Sequence, residues 1–578
     1  MKLLISTFAS RLLIGFSEVM KVQYVLLAIV ATVLAACGEE PPMEILDNPQ
    51  SGLSTLDTTE VEAILHQHIA ILASDEYEGR APATPGEEKT ISYLQQEFSA
   101  LGIQPGNGDS YFQSVSVTET TTASDAVLML EGNDYQVALS YGDQMMVSSQ
   151  QQIPAISVLD SELIFVGYGV VAPERSWNDY AGIDVTDKTV VILVNDPGYA
   201  TQDPNIFNGN AMTYYGRWTY KYEEAARQGA AAALIVHETG PAGYSWEVVS
   251  SSWSGPQIGL QAANLNVDKV DIEGWLTLDS AQALFAGAGL SYQQLKAAAA
   301  ETGFSAVAMS DITATVNITN SVRESQSQNL IAMIPGSQRP EETIIYTGHW
   351  DHLGVNLELP GDNIYNGAAD NATGTAALLA LAKLHAAEPA PARSIVFLAV
   401  TAEESGLLGS RWYSENPIFP LEKTVANINM DNLNTFGPMR DIVVVGDGSS
   451  EMENYLQEAA DKQNRYLAAE PNPERGYYYR SDHFNFAKVG VPALYAGSGE
   501  DSREHGREWG AEQAQEYTDN RYHAPSDEYD PDWDLSGAAQ DIFIYFDIAN
   551  KLSQETTFPN WFEGNEFKAI RDASASAR

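Results

Sequence analysis

The sequence predicts an α/β fold in three layers, with helices on both faces of a central sheet and a β-rich segment inserted into the chain. Three observations carry this reading. From residue 328 onward, short and strongly apolar runs recur at 329–334, 343–347, 394–400, 425–430, 442–445 and 491–495, with a helix read over 374–385. Strands this apolar are buried on both faces, the habit of sheets covered above and below by helices. Between about 140 and 320 the texture changes to short β-rich runs separated by Gly, Pro and Asn, such as 163–171 and 189–194. A single helix is read there, over 222–229, leading into the apolar run 230–236. Ahead of both, Ile64, Ile69, Ile71 and Leu72, then Ile91, Leu94 and Phe98, recur at helical spacing around the polar stretch 74–80. Two helices joined by a loop are expected.

At 578 residues and 44% hydrophobic composition, the chain can bury a large core and divide into more than one domain. The expected boundaries are 58–139 for the first part of the main domain, 140–320 for the insertion and 321–578 for the remainder. The segment 22–36 is apolar, follows Lys21 and ends in Leu34-Ala35-Ala36-Cys37. That is the pattern of a signal peptide over 1–36, too short for a membrane helix of about 20 residues. It resembles a bacterial lipobox. The resemblance implies a lipid on Cys37, and the Gly-Glu-Glu that follows lacks the aspartate of inner-membrane retention. An exported chain, anchored at the outer membrane on its periplasmic or outer face, is therefore expected. Met20-Lys21 reads as a more natural start than Met1, and 37–57 reads as a flexible tether.

Cys37 is the single cysteine, so internal disulfides, thiol catalysis and cysteine metal ligands are excluded. Metal chemistry has to come from His, Asp and Glu. The net charge is −47, from 31 basic and 78 acidic residues spread along the chain. Nucleic acid is excluded as a partner, and the simplest account is a solvated surface suited to salt, where screening shortens repulsion.

Ligands of open α/β sheets bind beyond the carboxyl ends of the strands. The run 343–347 is followed by Gly348-His349-Trp350-Asp351-His352, 394–400 by Thr401-Ala402-Glu403-Glu404-Ser405-Gly406, and 425–430 by Asp431-Asn432. Asp370 sits just ahead of the helix read over 374–385. An imidazole and several carboxylates converging on one sheet edge are costly if unpaired, and they are what zinc or another divalent ion binds. Two ions balance that charge, held about 3.5–4 Å apart by a bridging carboxylate.

In this order and at these strand ends, the motifs resemble those of peptidase family M28, the co-catalytic zinc aminopeptidases and their relatives, over nearly all of the chain after Thr58. The resemblance implies a three-layer α/β/α zinc-peptidase fold with a mixed central sheet, and an inserted module similar to the protease-associated domain. It implies two zinc ions per chain, one on His349 and Asp431, the other on Glu404 and His523, with Asp370 between them. Glu403 matches the general base that takes a proton from the attacking water and delivers it to the leaving amine. Asp351 matches a carboxylate orienting His349, Tyr522 an oxyanion donor, and a cis peptide is implied after Asp370. Peptides are the implied substrates, and removal of N-terminal residues the implied reaction.

Other readings are kept beside it. A carboxypeptidase on the same scaffold would use Arg480 or Arg475 to bind a substrate carboxylate bidentately. Glutaminyl cyclisation with one zinc is disfavoured by the five-ligand set, and a non-catalytic receptor-like module by the presence of Glu403 with all ligands. Ser481-Asp482-His483-Phe484 is read as structural or substrate-positioning, because triad members meet through the fold and not along the sequence. His352, His385, His66, His68, His237 and His505 are assigned packing or surface roles, and the Asn317 and Asn371 glycosylation-type triplets are read as chance matches.

Overall fold

The computed structural model describes residues 56–132, 135–357 and 359–578. The expected signal peptide, Cys37 and nearly all of the tether lie outside them. Among the described residues no helix is long and apolar enough to cross a membrane.

Helix α1 (Thr58–Leu72) starts on a capping box: the Asp57 carboxylate accepts from the Glu60 amide and Glu60 accepts from that of Asp57, both at 2.9 Å. It buries Val61, Leu65, Ile69 and Leu72. Helix α2 (Pro85–Ala100) has Thr84 as its cap and proline in its first turn. The polar loop between them carries Glu78, Gly79 and Arg80 at positive φ. These are the two helices expected.

Strand β1 (Phe112–Thr122) leads into a second sheet of β2 (Val127–Gly132), β3 (Ala155–Phe165), β4 (Thr189–Leu193), β5 (Ala232–Val236) and β6 (Ile272–Leu276). Here β3, β4, β5 and β6 run parallel in that order. The helix expected over 222–229 is α3 (Trp218–Arg227), and the segment carries further helices that its texture did not suggest, among them α4 (Leu278–Gly287) and α5 (Tyr292–Ala299). The last two are alanine-rich helices begun by the side chains of Thr277 and Ser291. Parallel strands need such crossovers, so this region is α/β rather than simply β-rich. Its start also differs from the expected 140, since β2 pairs in the second sheet and buries Leu128 and Leu130 in that sheet's core.

Strand β7 (Val307–Ile334), 28 residues long, passes through the boundary expected near 320. Its first part pairs with β2 and β3, its second with β1. The main sheet then takes β8 (Arg339–His349), β9 (Arg393–Val400), β10 (Thr424–Asn429), β11 (Asp441–Val444) and β12 (Ala493–Ser498) in the order β1-β7-β9-β8-β10-β12-β11. The strands β9, β8, β10 and β12 are parallel while β7 and β11 run against their neighbours, the mixed sheet implied above.

Successive residues of β8 face opposite layers. Ile344 and Tyr346 pack into one core with α1, α6 (Thr373–Ala386) and α8 (Ser536–Gln554), and Ile345 into another with Tyr413, Phe484, Phe486 and Trp561. Helix α6 is apolar all round and almost wholly buried, as a helix enclosed by a sheet and its neighbours must be. This layering leaves the carboxyl ends of β8, β9 and β10 side by side.

Candidate metal centre

His349 is the last residue of β8 and in register with Val400, the last of β9. The turn after β9 carries Glu403 and Glu404, and Asp431 follows β10 by two residues. Asp370 precedes α6, on a cis Asp370–Asn371 peptide. The Asn371 amide oxygen accepts from the Gly374 backbone amide at 2.8 Å and its nitrogen donates to the Met430 carbonyl at 3.0 Å, tying the start of α6 to the end of β10.

Asp370 turns one oxygen to each side. Its Oδ1 lies 3.2 Å from His349 Nε2 and its Oδ2 3.4 Å from His523 Nε2. His349 Nε2 is 3.3 Å from Asp431 Oδ1, and His523 Nε2 is 3.0 Å from Glu404 Oε2. A tetrahedral ion with bonds of about 2.0–2.1 Å spaces its ligand atoms about 3.3 Å apart. The donor set is entirely imidazole and carboxylate. Residues and spacing therefore fit two zinc-sized ions, one between His349 and Asp431, the other between His523 and Glu404, with Asp370 shared.

His523 is placed through Asp527, which the sequence reading did not single out. The Asp527 carboxylate accepts from the backbone amides of Ala369 at 3.0 Å and Asp370 at 3.1 Å, and its carbonyl accepts from Ala368. The loop after α7 (Arg507–Asn520) is thereby fastened directly to the Asp370 segment. Tyr522 stacks on His523 with ring centroids 3.9 Å apart.

Asp351 acts differently from the implied role. His349 Nδ1 lies 3.1 Å from the Asp351 backbone carbonyl but 3.8 Å from its carboxylate. The carboxylate accepts instead from the backbone amides of Glu403 at 3.1 Å and Glu404 at 3.4 Å. The turn that presents both glutamates is thus oriented by Asp351.

Two residues outside the expected set also enter. His352 is fully buried, and its Nδ1 lies 2.6 Å from Glu404 Oε1. Its ligand-capable atom lies within 4.8 Å of those of Asp370 and Glu404. The assignment of His352 to packing is corrected: a side chain three residues past a strand end leaves the sheet plane, and only the fold reveals which way. Arg80, also buried, donates to the carbonyls of Leu72, Trp350, Asn366 and Gly367 at 2.6–2.9 Å. Burial pulls its pKa down to about 10 against the pull of Asp527, Asp351, Asp370 and Glu404, so it stays a cation behind the carboxylates.

Residues 329–547 match the model of peptidase family M28. This segment is similar to an M28 peptidase domain, and it carries His349, Asp370, Glu403, Glu404, Asp431 and His523. Among curated proteins, the chain is 34% identical over 122 residues to mouse aminopeptidase NAALADL1, covering 20% of this chain and 15% of that protein. It is 34% identical over 122 residues to a glutamate carboxypeptidase 2 homolog of Caenorhabditis elegans, covering 20% and 14%. The chain thus spans about one seventh of the length of these relatives. Two solved structures are similar to it: an aminopeptidase from Aneurinibacillus sp. strain AM-1, at 20% identity, TM-score 0.48 and 87% and 96% coverage, and a peptidase M28 precursor from Shewanella amazonensis SB2B, at 17%, 0.43 and 86% and 97%.

A cavity of about 340 Å³ opens beside these imidazole and carboxylate side chains, lined by Glu403, Asp431, Ser481, Tyr522, Arg475 and Arg480 among others. Glu403 stands 4.0 Å from His349, beyond the distances of the other carboxylates. Burial first, then Asp431, Glu404 and Asp482, push its carboxyl well above the usual range, against the pull of His349. Ser481 donates to Asp431 Oδ2 at 2.5 Å and accepts from Asn429 at 2.7 Å, which makes it a positioning residue for Asp431. Asp482 and His483 are fully buried beside it. The remaining histidines of the matched segment pack: His385 against Phe546 at 4.6 Å between centroids, and His505 against Trp509 at 4.5 Å. Elsewhere His66 and His68 meet the hydroxyls of Tyr529 and Tyr93, and His237 the carbonyl of Tyr244.

Proposed function

We propose that the chain is a zinc-dependent exopeptidase of aminopeptidase type, removing N-terminal residues from peptides. The observation that carries this reading is the division of labour among the carboxylates. Asp370 faces both histidines, Asp431 and Glu404 face one each, and Glu403 is left beside the cavity.

Two zinc ions held by His349, Asp431, Asp370, Glu404 and His523 would supply Lewis acidity to the scissile carbonyl and to the attacking water. The protein's own groups do the rest. Glu403, beside the cavity, takes a proton from the water and gives it to the leaving nitrogen. The Tyr522 hydroxyl donates to the oxygen on which charge develops. The carboxylates of Glu403 and Asp431 also suit a substrate ammonium group. The name of the mouse relative, an aminopeptidase, supports that polarity. A carboxypeptidase is the second reading, favoured by Arg480 on the cavity wall.

The deciding experiment pairs metal analysis with hydrolysis of short peptides, free or blocked at either end, by the wild type and Glu403→Gln. Two zinc ions per chain, turnover of free N-termini alone, and a loss of roughly 10²–10⁴-fold in the variant with zinc retained are expected. Turnover of N-blocked peptides would overturn the aminopeptidase assignment.

We also infer export with a lipid on Cys37 at the outer membrane, from the Leu34-Ala35-Ala36-Cys37 pattern. Fatty-acid labelling that is lost in Cys37→Ser is expected, and labelling that persists would refute it. The second sheet is assigned to a module of protease-associated type.

A further inference from the structure

The charges around the cavity are lopsided. Its carboxylates include Asp370, Glu403, Asp431, Glu470 and Glu500, while its cations are Arg475 and Arg480. Arg475 has a partner, donating to the Tyr477 hydroxyl at 3.2 Å. Arg480 has none of that kind: among the described residues its guanidinium donates no hydrogen bond and meets no carboxylate oxygen within 4.0 Å, lying instead over the Tyr477 ring, 5.2 Å from its centroid. In a chain with 78 acidic and 31 basic residues, a guanidinium facing a carboxylate-lined cavity without being claimed by it is a charge held in reserve. Burial works against that charge, but Tyr522, Tyr477, Tyr244 and Glu403 more than offset it and raise the pKa, so Arg480 stays a cation whose hydrogen-bond donors are open to a carboxylate.

Its position is fixed from two directions. The next residue, Ser481, is hydrogen-bonded to Asp431 and Asn429, which holds Arg480 one residue from a metal ligand's contact. The preceding segment rests on the inserted region: Met212 donates to the Pro473 carbonyl at 3.0 Å and Asn210 to Glu474 at 3.0 Å. That region brings up a second guanidinium, Arg217, immediately before α3. Its pKa is drawn down to about 10, by burial first and then by the charge of Arg480. The Tyr214 ring, three residues before Arg217, packs 6.1 Å from the ring of Tyr479, the neighbour of Arg480, so one arginine from each sheet's segment is carried on two elements in contact.

We propose that Arg480, backed by Arg217, is the subsite for a carboxylate that the peptide substrate carries within about one residue of the scissile bond. A planar guanidinium binds a carboxylate through two parallel hydrogen bonds, and a second cation behind it raises the local potential. The proposal rests on the peptidase reading and narrows its substrates to short peptides ending near the cut, or to peptides with an acidic residue there. Because Arg217 belongs to the inserted region, that region takes part in choosing the substrate.

The test compares a neutral dipeptide, its C-terminal amide, and amides carrying Asp or Glu as the second residue, on zinc-loaded wild type, Arg480→Gln, Arg480→Lys and Arg217→Gln. For the wild type, kcat/KM on the dipeptide is expected at least tenfold above its amide. That ratio falls toward one in Arg480→Gln, is partly kept in Arg480→Lys and drops severalfold in Arg217→Gln, each change lying mainly in KM. Recovery with the acidic amides assigns the site to a side chain; no recovery assigns it to the C-terminal carboxylate. Equal turnover of dipeptide and amide by the wild type, or an unchanged ratio in Arg480→Gln, overturns the subsite and leaves the peptidase reading standing. Calorimetric binding of the same peptides to Glu403→Gln reads the subsite without turnover. Selective carboxylate binding there, with no hydrolysis by the wild type, sinks the peptidase reading alone. Should Arg480→Gln unfold, the ratio in Arg217→Gln decides.

Discussion

The imidazole of His352 closes to 2.6 Å on Glu404, Nδ1 to Oε1. Glu404 Oε2 is the oxygen that faces His523, so one carboxylate is gripped from both sides. His352→Ala frees the Oε1 side, and the expected outcome is about 10- to 100-fold weaker binding at the second ion's position. The first position, built on His349 and Asp431, keeps its affinity. Zinc titration against a chelator, read as two separate steps, checks this; two unchanged steps would refute it.

Arg80 binds four carbonyls from three stretches of chain. Arg80→Met leaves those buried acceptors unpaired, at about 1–3 kcal/mol for each that finds no water, and a total loss of about 3 kcal/mol or more is expected. Arg80→Lys is also destabilised, because one ammonium cannot reproduce the planar fork. Thermal unfolding of zinc-free protein separates this effect from metal binding.

At Gly374 there is no room for a side chain. A Cβ would come within 2.4 Å of both Asn371 Oδ1 and the Met430 carbonyl. Gly374→Ala therefore forces the start of α6 away from β10 and carries Asp370 with it. Both lower stability, by about 1–3 kcal/mol, and loss of zinc are expected, although alanine is the better helix former. A stabilised variant with full zinc content would contradict the packing argument.

Burial takes the pKa of His385 down to about 3 from the ordinary 6.5. Between those values the unfolded chain binds a proton that the folded chain refuses, so stability rises with pH there and is lost on acidification from about 6.5 toward 3. His385→Gln removes this contribution. Its unfolding midpoint should depend less steeply on pH than that of the wild type over the same range, as measured by denaturant titration at a series of pH values.

Much of the fold could be read from the sequence because its strands are apolar on both faces and its helices periodic, so that α1, α2, α6 and β8 to β10 follow from pattern alone. The helices α4 and α5 were missed because their runs of alanine give little contrast between faces. The boundary near 320 was misplaced because β7 belongs to two sheets at once, and its alternation does not change where one sheet ends. In the site, the imidazole and carboxylates at strand ends were legible from position. His352, Asp527 and Arg80 were not, since each acts on residues distant in sequence: 52 positions in the His352–Glu404 pair, 157 for Asp527 to the Asp370 amide, and 270 for Arg80 to the Trp350 carbonyl.

By itself the sequence determined the chemistry available: imidazoles and carboxylates set at the ends of apolar strands, one cysteine outside the described residues, and too much negative charge for nucleic acid. Strand ends are local features, and local features survive in one dimension. The tertiary structure alone decided how that chemistry is aimed. It set which oxygen of Asp370 meets which histidine, put Glu403 at the cavity while Glu404 is gripped, and left Arg480 with no carboxylate oxygen within 4.0 Å among the described residues. Those outcomes depend on distances between segments brought together by packing, and packing is a property of the whole core rather than of any stretch within it.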